Sequence, residues 1–377
     1  MPLINYIVPV ELDFGAIRTI AAECKANGIS KALLITDKGI VAAGLADRVL
    51  ALLKGNVDVV VFDAVPTNPT EAAVLEAARL YKQSGRDGIV ALGGGSPLDL
   101  AKAAALMASH PEPFAQYAMI LGGLPRITAG APPVIAIPTT AGTGSEVGRG
   151  AIITLTDTRK LAFSSPHLAP RKAISDPELT FGLPALLTAA TGMDALTHCI
   201  ETFISPRINP TADAIALDGA TRAWRWIETA VAEPTNRDAR WNMMVASMHG
   251  ALAFQKGLGA VHAMSHPLGG IQEVSLHHGT LNAVILPAVL RFNADHVGDR
   301  YETLKRAFGL PAGSDLADAV ASLSARLGLP SSLAAMGVPK STVPRMIEGA
   351  LADHSHPTNP RPVTAADYAS LFEAAFD

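Results

Sequence analysis

The first half of the chain alternates short apolar runs with segments of helical periodicity. Four of these runs are rich in β-branched residues and are typical of buried parallel strands. They cover residues 31–36, 57–62, 88–92 and 133–137. Helical periodicity over residues 70–84 and 96–109 places helices between the strands. Repeated strand–helix–strand units of this kind predict a Rossmann-like, doubly wound parallel sheet.

The second half of the chain has a different pattern. From Pro184 onward, Ala, Leu and Met recur at helical spacing, and strand-like runs almost disappear. The sequence therefore predicts an α/β domain over residues 1–183 and an all-α domain over residues 184–377.

Composition and charge restrict the class of partner. The 377 residues are 49% hydrophobic and 17% charged, which is typical of a folded globular protein. A net charge of -4 offers no basic surface for nucleic acid, and no run of about 18 uncharged apolar residues predicts a membrane span. The N-terminus lacks the features of a signal peptide, and two cysteines, Cys24 and Cys199, are too few for a disulfide framework. We therefore expect a cytoplasmic protein whose partner is a small molecule.

Two loops that follow predicted strands carry residues suited to phosphate binding. The segment Gly93-Gly-Gly-Ser96 joins a strand to a helix, where glycines let a phosphate approach the backbone N–H groups of the helix N-terminus. The loop after the next strand, residues 138–146, adds threonine hydroxyls. The same glycines suit a tight turn that binds nothing, and they match neither the G-x-G-x-x-G fingerprint nor a P-loop. Two such loops at one sheet edge favour a bound nucleotide.

Asp37 stands at the end of the first of these strands. A carboxylate in this place can accept hydrogen bonds from an adenosine ribose and repel a 2′-phosphate. The same residue type is also common as a helix cap or turn residue. The nucleotide interpretation predicts a preference for NAD over NADP.

Histidines and a carboxylate at helical spacing form the strongest signal in the second half. Asp194 and His198 are four residues apart, and His262 and His266 repeat that spacing. His278 follows shortly afterwards in a region that holds five of the 11 histidines, between residues 249 and 278. A single buried histidine is usually a core residue with its hydrogen bonds satisfied. Two pairs at this spacing favour a site for a divalent transition metal.

Six motifs stand in the order found in one enzyme family. They read GGGSPLDLAK, PTTAGTGSE, DPELT, TGMDALTHCIE, VHAMSHPLGG and HHGTLNAVILP, and they lie within residues 33–287. On these motifs the chain resembles the iron-containing (group III) alcohol dehydrogenases. The resemblance implies a dehydroquinate synthase-like fold, in which an α/β dinucleotide-binding domain and a helical domain hold NAD and a divalent metal, Fe²⁺ or Zn²⁺, between them. The implied reaction is hydride transfer between an alcohol and the nicotinamide.

The resemblance also implies individual site residues. The implied metal ligands are Asp194, His198, His262 and His278. The implied cofactor contacts are Gly94, Gly95, Ser96, Asp99, Thr139, Thr140 and Thr143, with Asn68 nearby.

Two histidines need a choice between roles. The loop from Gly269 to the last ligand is about two residues longer than the usual family form and ends in His277 and His278. The family ligand directly precedes a glycine, which favours His278, with His277 as the alternative. His266 shares a helical face with His262 and is a candidate proton relay or a packing residue beside the metal.

Further stretches, among them ITDKGIVAAG, MHGALAFQKGLG and GALADHSHPTNP, are similar to the branch of the family that acts on 4-hydroxybutyrate. A carboxylate substrate requires a cation, since an unpaired charge in an apolar site is costly. The candidates are Arg149, Lys160, His354 and His356, although the first two also suit a surface charge or a cofactor contact.

Three alternative functions remain open. They are a general short-chain alcohol or diol dehydrogenase, a lyase of the dehydroquinate synthase type and a non-enzymatic nucleotide-binding protein. For the lyase, no basic cluster stands near the motifs. We also expect a homodimer, with the apolar segment 4–8 as a pairing edge.

Overall fold

The computed structural model describes residues 6, 8–271 and 273–377. Cα packing divides them into two compact units. The α/β unit comprises Tyr6–Thr140 and Gly144–Gly182, and the helical unit comprises Ala141–Thr143 and Leu183–Asp377.

The α/β unit is built on a six-stranded sheet in which every strand pair is parallel. Its strands are β1 (Val10–Leu12), β2 (Lys31–Ile35), β3 (Asp58–Phe62), β4 (Gly88–Gly93), β5 (Val134–Pro138) and β8 (Lys172–Ser175). Their order across the sheet is β1–β8–β5–β4–β2–β3. The direction of winding reverses between β2 and β4, which is where ligands bind in open α/β sheets.

Both faces of this sheet are buried. Along β2, Leu33 and Ile35 belong to one apolar cluster, whereas Ala32 and Leu34 belong to another. Because successive side chains of a strand point to opposite faces, the two clusters are the cores on the two sides of the sheet. This explains why the strands read as continuous apolar runs rather than alternating ones.

Helices and a hairpin complete the α/β unit. The helices are α1 (Ile20–Ala26), α2 (Lys38–Ala42), α3 (Leu45–Leu53), α4 (Glu71–Gln83) and α5 (Gly95–Ser109). The hairpin consists of β6 (Gly150–Thr154) and β7 (Lys160–Ser164), which pair antiparallel outside the main sheet.

The helical unit surrounds one helix, α6 (Ala185–Ile204), that is enclosed beyond its first turn. From Thr188 to its end every residue of α6 except Thr191 is buried, including the polar Asp194, His198 and Glu201. The remaining helices are α7 (Pro210–Ala232), α8 (Arg237–Ala253), α9 (Ala260–Leu268), α10 (His278–Asn293), α11 (Arg300–Ala307), α12 (Leu316–Arg326), α13 (Val343–Ala352) and α14 (Ala365–Phe376).

The predicted fold class, a Rossmann-like α/β part followed by an all-α part, is confirmed. Cα packing differs from the predicted division at residues 183 and 184 in two respects, because Leu183 belongs to the helical unit and residues 141–143 pack with that unit as well. Gly142 permits this, since a Cβ there would lie 2.8 Å from the Cβ of Thr191 on α6. The expected pairing edge, residues 4–8, lies largely outside the described residues. No helix in the described part of the chain is long and apolar enough to cross a membrane.

Candidate functional site

Asp194 stands at the centre of a cluster of imidazoles in the helical unit. Its Oδ1 lies 3.8 Å from Nε2 of His198, which is one helical turn away on α6. The same oxygen lies 3.8 Å from Nε2 of His262 on α9 and 3.6 Å from Nε2 of His278 at the start of α10. Three helices therefore bring the four predicted metal ligands together, and each histidine faces the carboxylate with the same ring nitrogen.

These separations fit a divalent metal. With metal–nitrogen and metal–oxygen bonds of about 2.1 Å, neighbouring ligand atoms of a tetrahedral site are roughly 3.4 Å apart. The ligand atoms of Asp194, His262 and His278 all lie within 4.8 Å of one another. The ring of His198 stacks on that of His262 with 4.6 Å between centroids. The donor set of three imidazoles and one carboxylate suits Fe²⁺ or Zn²⁺.

Burial and mutual contact keep His198 and Asp194 in the form that binds a metal. Burial lowers the pKa of His198 to about 4, although Asp194 opposes this, so its ring is neutral near pH 7. Burial raises the pKa of Asp194, but the neighbouring imidazoles outweigh it and hold that pKa below its ordinary value. An ionised carboxylate beside neutral imidazoles is the state a divalent ion requires.

Glu201 fixes the orientation of His262. This residue is one helical turn beyond His198 on α6 and only 2% exposed. Its Oε2 lies 2.5 Å from Nδ1 of His262, and its Oε1 accepts a hydrogen bond from the Val261 backbone. Burial disfavours the charged imidazole, yet the Glu201 carboxylate raises the pKa of His262 to about 9. Without a metal the His262 ring therefore carries both protons near pH 7, and a metal ion would displace the Nε2 proton while Glu201 keeps the proton on Nδ1, as in other carboxylate–histidine–metal arrangements.

Asn282 places its carboxamide against the same cluster. Its Nδ2 donates to Asp194 Oδ1 at 2.7 Å and lies 3.2 Å from Nε2 of both His262 and His278. Sequence reasoning missed both Asn282 and Glu201. The signal was present, because Asn282 follows His278 by four residues and Glu201 follows Asp194 by seven, so each shares a helix face with a ligand.

His266 lies beside the cluster and is held by a carboxylate of its own. Its ring is 5.5 Å from that of His278 and nearly parallel to it. Its Nδ1 lies 2.8 Å from Oδ2 of Asp353, and the ring of His354 also stacks on it, with 5.3 Å between centroids. Burial lowers the pKa of His266, and the Asp353 carboxylate opposes that effect. Sequence reasoning did not single out Asp353.

His277 precedes α10 as its N-cap residue, whereas His278 is the first residue of that helix. Because Asp194, His262 and His278 form the group that can hold an ion, the geometry favours His278 over its neighbour.

The predicted phosphate-binding turn leads directly from β4 into α5. Gly93 has φ +149°, and a Cβ there would lie 2.5 Å from Pro97, so only glycine fits. Gly94 is the N-cap of α5 and Gly95 is its first residue. The Ser96 hydroxyl donates to the Thr67 carbonyl. The turn therefore presents an uncapped helix N-terminus at the carboxyl edge of the sheet.

The threonines after β5 lie next to this turn. Thr139 donates its backbone N–H to the Gly93 carbonyl, and its buried hydroxyl has no hydrogen-bond partner among the described residues. The side chain of Thr140 is the nearest neighbour of Gly94, 3.3 Å from where a Cβ would stand. Thr143 belongs to the segment that packs with the helical unit. A narrow glycine cradle with an unpaired hydroxyl beside it fits a dinucleotide.

Asp99 has a structural task inside the α/β unit. Its Oδ1 accepts from the Ser145 hydroxyl at 2.5 Å, and its Oδ2 accepts from the Ile152 backbone at 2.8 Å. The buried Lys102 lies 3.2 Å from the same carboxylate and donates to the Ser145 carbonyl. Both oxygens are thus engaged within the protein, so Asp99 holds the loop after β5 in place. Asn68 likewise has an internal partner, since its Oδ1 accepts from Lys160 at 3.0 Å.

Asp37 caps α2. Its Oδ1 accepts from the Ile40 backbone N–H at 2.9 Å, and strand β2 ends two residues earlier, at Ile35. The residue therefore performs the helix-capping role and at the same time stands at the β2–β4 reversal, where an adenosine ribose binds in such sheets.

Family models match almost the whole chain. The model described as iron-containing alcohol dehydrogenase covers residues 10–177. The model for the C-terminal part of the Fe-containing alcohol dehydrogenase family covers residues 188–376. A 4-hydroxybutyrate dehydrogenase of Cupriavidus necator is 56% identical over 99% of both chains.

Solved structures agree with these matches. A 1,3-propanediol oxidoreductase superposes with a TM-score of 0.91 at 37% identity and covers 100% of both chains. A sulfoacetaldehyde reductase of Bifidobacterium kashiwanohense in complex with NAD⁺ superposes with a TM-score of 0.88 at 30% identity, covering 100% of this chain and 99% of the other. The chain belongs to the iron-containing alcohol dehydrogenase family and is an oxidoreductase.

Proposed function

We propose that this protein is an NAD-dependent, metal-dependent dehydrogenase that interconverts 4-hydroxybutyrate and succinic semialdehyde. The observation that carries the substrate is the 56% identity, over 99% of both chains, to the Cupriavidus 4-hydroxybutyrate dehydrogenase. The reaction class rests on family membership and on the carboxylate–imidazole cluster of the helical unit.

Asp194, His198, His262 and His278 are the proposed ligands of a single Fe²⁺ or Zn²⁺ ion. Such an ion supplies Lewis-acid stabilisation of the negative charge that develops on the alcohol oxygen during oxidation. The chain's own contribution is to hold one carboxylate and three imidazoles at matched separations. The same ligands bind Zn²⁺ more tightly than Fe²⁺, so the metal present in the cell depends on availability as well as affinity.

His266 is the proposed acceptor of the alcohol proton. Because Asp353 engages its Nδ1, the Nε2 lone pair remains to take a proton. The carboxylate also stabilises the charged ring that results, as an acid partner does for other catalytic histidines.

NAD is the proposed hydride acceptor, and the carboxyl edge of the sheet is its proposed site. The helix N-terminus at Gly94, Gly95 and Ser96 suits the pyrophosphate, and the hydroxyls of Thr139, Thr140 and Thr143 suit neighbouring cofactor oxygens. In this proposal Asn68 and Asp99 support the cofactor site indirectly. Asn68 accepts a hydrogen bond from Lys160, and Asp99 holds the loop after β5. The carboxylate of Asp37 would bind the ribose and disfavour a 2′-phosphate.

A general short-chain alcohol or diol dehydrogenase is the second candidate. It is favoured by the similarity to 1,3-propanediol dehydrogenases, one of which, from Citrobacter freundii, is 39% identical over 99% of both chains. A lyase of the dehydroquinate synthase type would use the same fold but would produce no net NADH.

An assay of reconstituted enzyme separates these candidates. Protein loaded with Fe²⁺ under anaerobic conditions, or with Zn²⁺, is mixed with NAD⁺ and 4-hydroxybutyrate, 1,3-propanediol or 1-butanol, and NADH is followed by absorbance. We expect NADH and succinic semialdehyde from 4-hydroxybutyrate. Faster turnover of the diol would establish the second candidate, and the absence of NADH with every alcohol would overturn both.

We further propose a cytoplasmic homodimer. Both cysteines, Cys24 and Cys199, are buried free thiols, which suits a reducing compartment. Strand β1 is the edge of the sheet next to the expected pairing segment. A monomeric mass in solution would remove the proposal of a dimer.

A further inference from the structure

Helix α9, which carries the proposed ligand His262, begins without a side-chain cap of its own. Its N-cap residue is Gly259, which has no side chain to accept a hydrogen bond. The first N–H groups of a helix lack partners within the helix, and a buried N–H without a partner is costly. His262 is the third residue of α9, so the turn that needs these partners is the turn that carries the ligand.

Two side chains from distant parts of the sequence supply the missing partners. The Ala260 N–H donates to Oδ1 of Asn359 at 3.1 Å, and the Val261 N–H donates to Oε1 of Glu201 at 2.7 Å. A Cβ at Gly259 would lie 2.9 Å from each of these two oxygens, so a larger residue there would displace them. Asn359 therefore caps α9 from 99 residues away and acts on the backbone of its first turn.

The carboxamide of Asn359 is itself held in one orientation. Its Nδ2 donates to the Arg361 carbonyl at 2.7 Å and to Oδ1 of Asn293 at 2.8 Å, and its Oδ1 also accepts from Nδ2 of Asn293 at 3.0 Å. Because a carbonyl can only accept, the Arg361 contact fixes the nitrogen side of the amide and leaves the oxygen for α9. Asn293 is fully buried and ends α10, the helix that begins with the proposed ligand His278. Asn359 thus connects the start of α9 to the end of α10.

The segment 353–359 contacts α9 at both of its ends. Before the start of the helix, the Thr358 hydroxyl donates to the Leu258 carbonyl at 2.6 Å. Towards the end of the helix, Oδ2 of Asp353 lies 2.8 Å from Nδ1 of His266. A helix of nine residues that is fixed at both ends is preorganised, so its side chains need little further ordering when a ligand binds.

We propose that Asn359 is a positioning residue for the metal site: by capping α9 it holds the His262 imidazole at the distance from Asp194 that a metal ion requires. Metal ligands must be held within about 0.5 Å of their binding geometry. A cap that prevents the first turn of α9 from fraying therefore contributes to metal affinity through the backbone. This inference rests on the proposed metal site and names a residue outside the ligand motifs that supports it.

The test measures the Co²⁺ affinity of Asn359→Ala by competition with a chelating dye. We expect the affinity to fall about tenfold, the usual effect of losing a group that orients a metal ligand. The visible absorption of bound Co²⁺, which reports its coordination geometry, should change as well. Asn359→Asp keeps an acceptor for the Ala260 N–H, so it should retain most of the affinity although it loses the donor to the Arg361 carbonyl.

Thr358→Val is a milder variant of the same segment. The side chain keeps its volume, and the hydroxyl contact with the Leu258 carbonyl is lost. We expect Co²⁺ binding about threefold weaker than in wild type, the effect of one neutral hydrogen bond.

Asn209→Ala is the matched control. Asn209 is another buried asparagine of the helical unit, and its Oδ1 accepts from the Ala212 N–H at 3.1 Å to cap α7, which carries none of the proposed ligands. We expect the midpoint of urea unfolding of the metal-free protein to fall in both Asn209→Ala and Asn359→Ala. Co²⁺ affinity should fall in Asn359→Ala and stay at the wild-type value in Asn209→Ala.

Two results would overturn the inference while leaving the proposed metal site intact. One is wild-type Co²⁺ affinity in either Asn359→Ala or Thr358→Val. The other is an equal loss of affinity in Asn209→Ala, because general destabilisation of the helical unit would then account for the effect. A wild-type protein that binds no Co²⁺ would instead overturn the proposed metal site, and this inference with it.

Discussion

At the scale of single residues, the site depends on two side chains, Glu201 and Asn282, that stand within the ligand motifs but are not themselves proposed ligands. Aspartate and histidine at four-residue spacing indicated a metal site, and the family resemblance implied which four residues are its ligands. Glu201 and Asn282 share a helix face with a ligand, but this spacing does not show what they contact, since the buried Glu201–His262 contact between α6 and α9 depends on how two helices pack. The periodicity of one helix cannot specify that packing.

Replacing Glu201 with Gln tests its role as a positioning residue for His262. We expect metal affinity to fall about 10- to 100-fold, because the amide holds the imidazole less firmly and makes it a weaker base. Affinity is measured by competition between the protein and a chelating dye for Co²⁺ or Zn²⁺.

Glu228→Gln serves as the control, since Glu228 pairs with Arg326 at the surface of the same unit. Equal affinity in wild type and Glu201→Gln would remove Glu201 from the account.

Replacing Asp37 with Ser separates its two roles. Serine can still cap α2, so the stability of the fold should change little, but the negative charge is gone. We expect the ratio of kcat/KM for NAD⁺ over NADP⁺ to fall about tenfold, because repulsion of the 2′-phosphate is lost.

Asp47→Ser, an exposed acid on α3, should leave that ratio unchanged. A wild-type enzyme that uses both cofactors equally well would contradict the proposed role of Asp37.

At the scale of elements, the strands that carry the nucleotide loops were predictable, and the shortest ones were not. Strands β2 to β5 appear within a residue or two of the predicted runs, because buried parallel strands are continuous apolar segments. Strands β1 and β8 have three and four residues, too few for periodicity to be read. They join the sheet through pairing with β5 and with each other, which is a tertiary effect.

Close packing of α10 on α6 positions His278 against Asp194. Gly279 makes this approach possible, because a Cβ there would lie 2.2 Å from the Ala190 carbonyl oxygen. In Gly279→Ala the helices must separate, so we expect a loss of about 1–3 kcal/mol in the free energy of unfolding and weaker metal binding.

Chemical denaturation and metal titration check both effects. Gly182→Ala is the control, because nothing lies within 4 Å of a Cβ at that position. Wild-type affinity and stability in Gly279→Ala would show that the helix contact does not set the ligand spacing.

At the scale of the whole molecule, the sequence predicted the two-part fold from a change of hydrophobic pattern. It did not predict that residues 141–143 pack with the helical unit, since that depends on one glycine meeting Thr191. Such a contact depends on the absence of a side chain at one position, and the hydrophobic periodicity of the sequence does not reveal it.

Metal removal should affect stability as well as activity. All four proposed ligands belong to the helical unit, and an ion that binds only the folded state adds about 2.7 kcal/mol at a free concentration of about 100 times its Kd. We therefore expect dipicolinate to abolish NADH formation and lower Tm, and Fe²⁺ or Zn²⁺ to restore both. Full activity and an unchanged Tm in protein shown to be metal-free would contradict the metal-dependent mechanism.

The most direct test of the central claim compares kcat/KM for 4-hydroxybutyrate and 1-butanol in the metal-loaded enzyme with NAD⁺. These substrates differ chiefly in one carboxylate, so their ratio measures recognition of the hydroxy acid itself. The account predicts that 4-hydroxybutyrate is the better substrate by at least about tenfold, the effect of one charge-assisted contact. An equal or higher value for 1-butanol would contradict it and identify a general short-chain alcohol dehydrogenase instead.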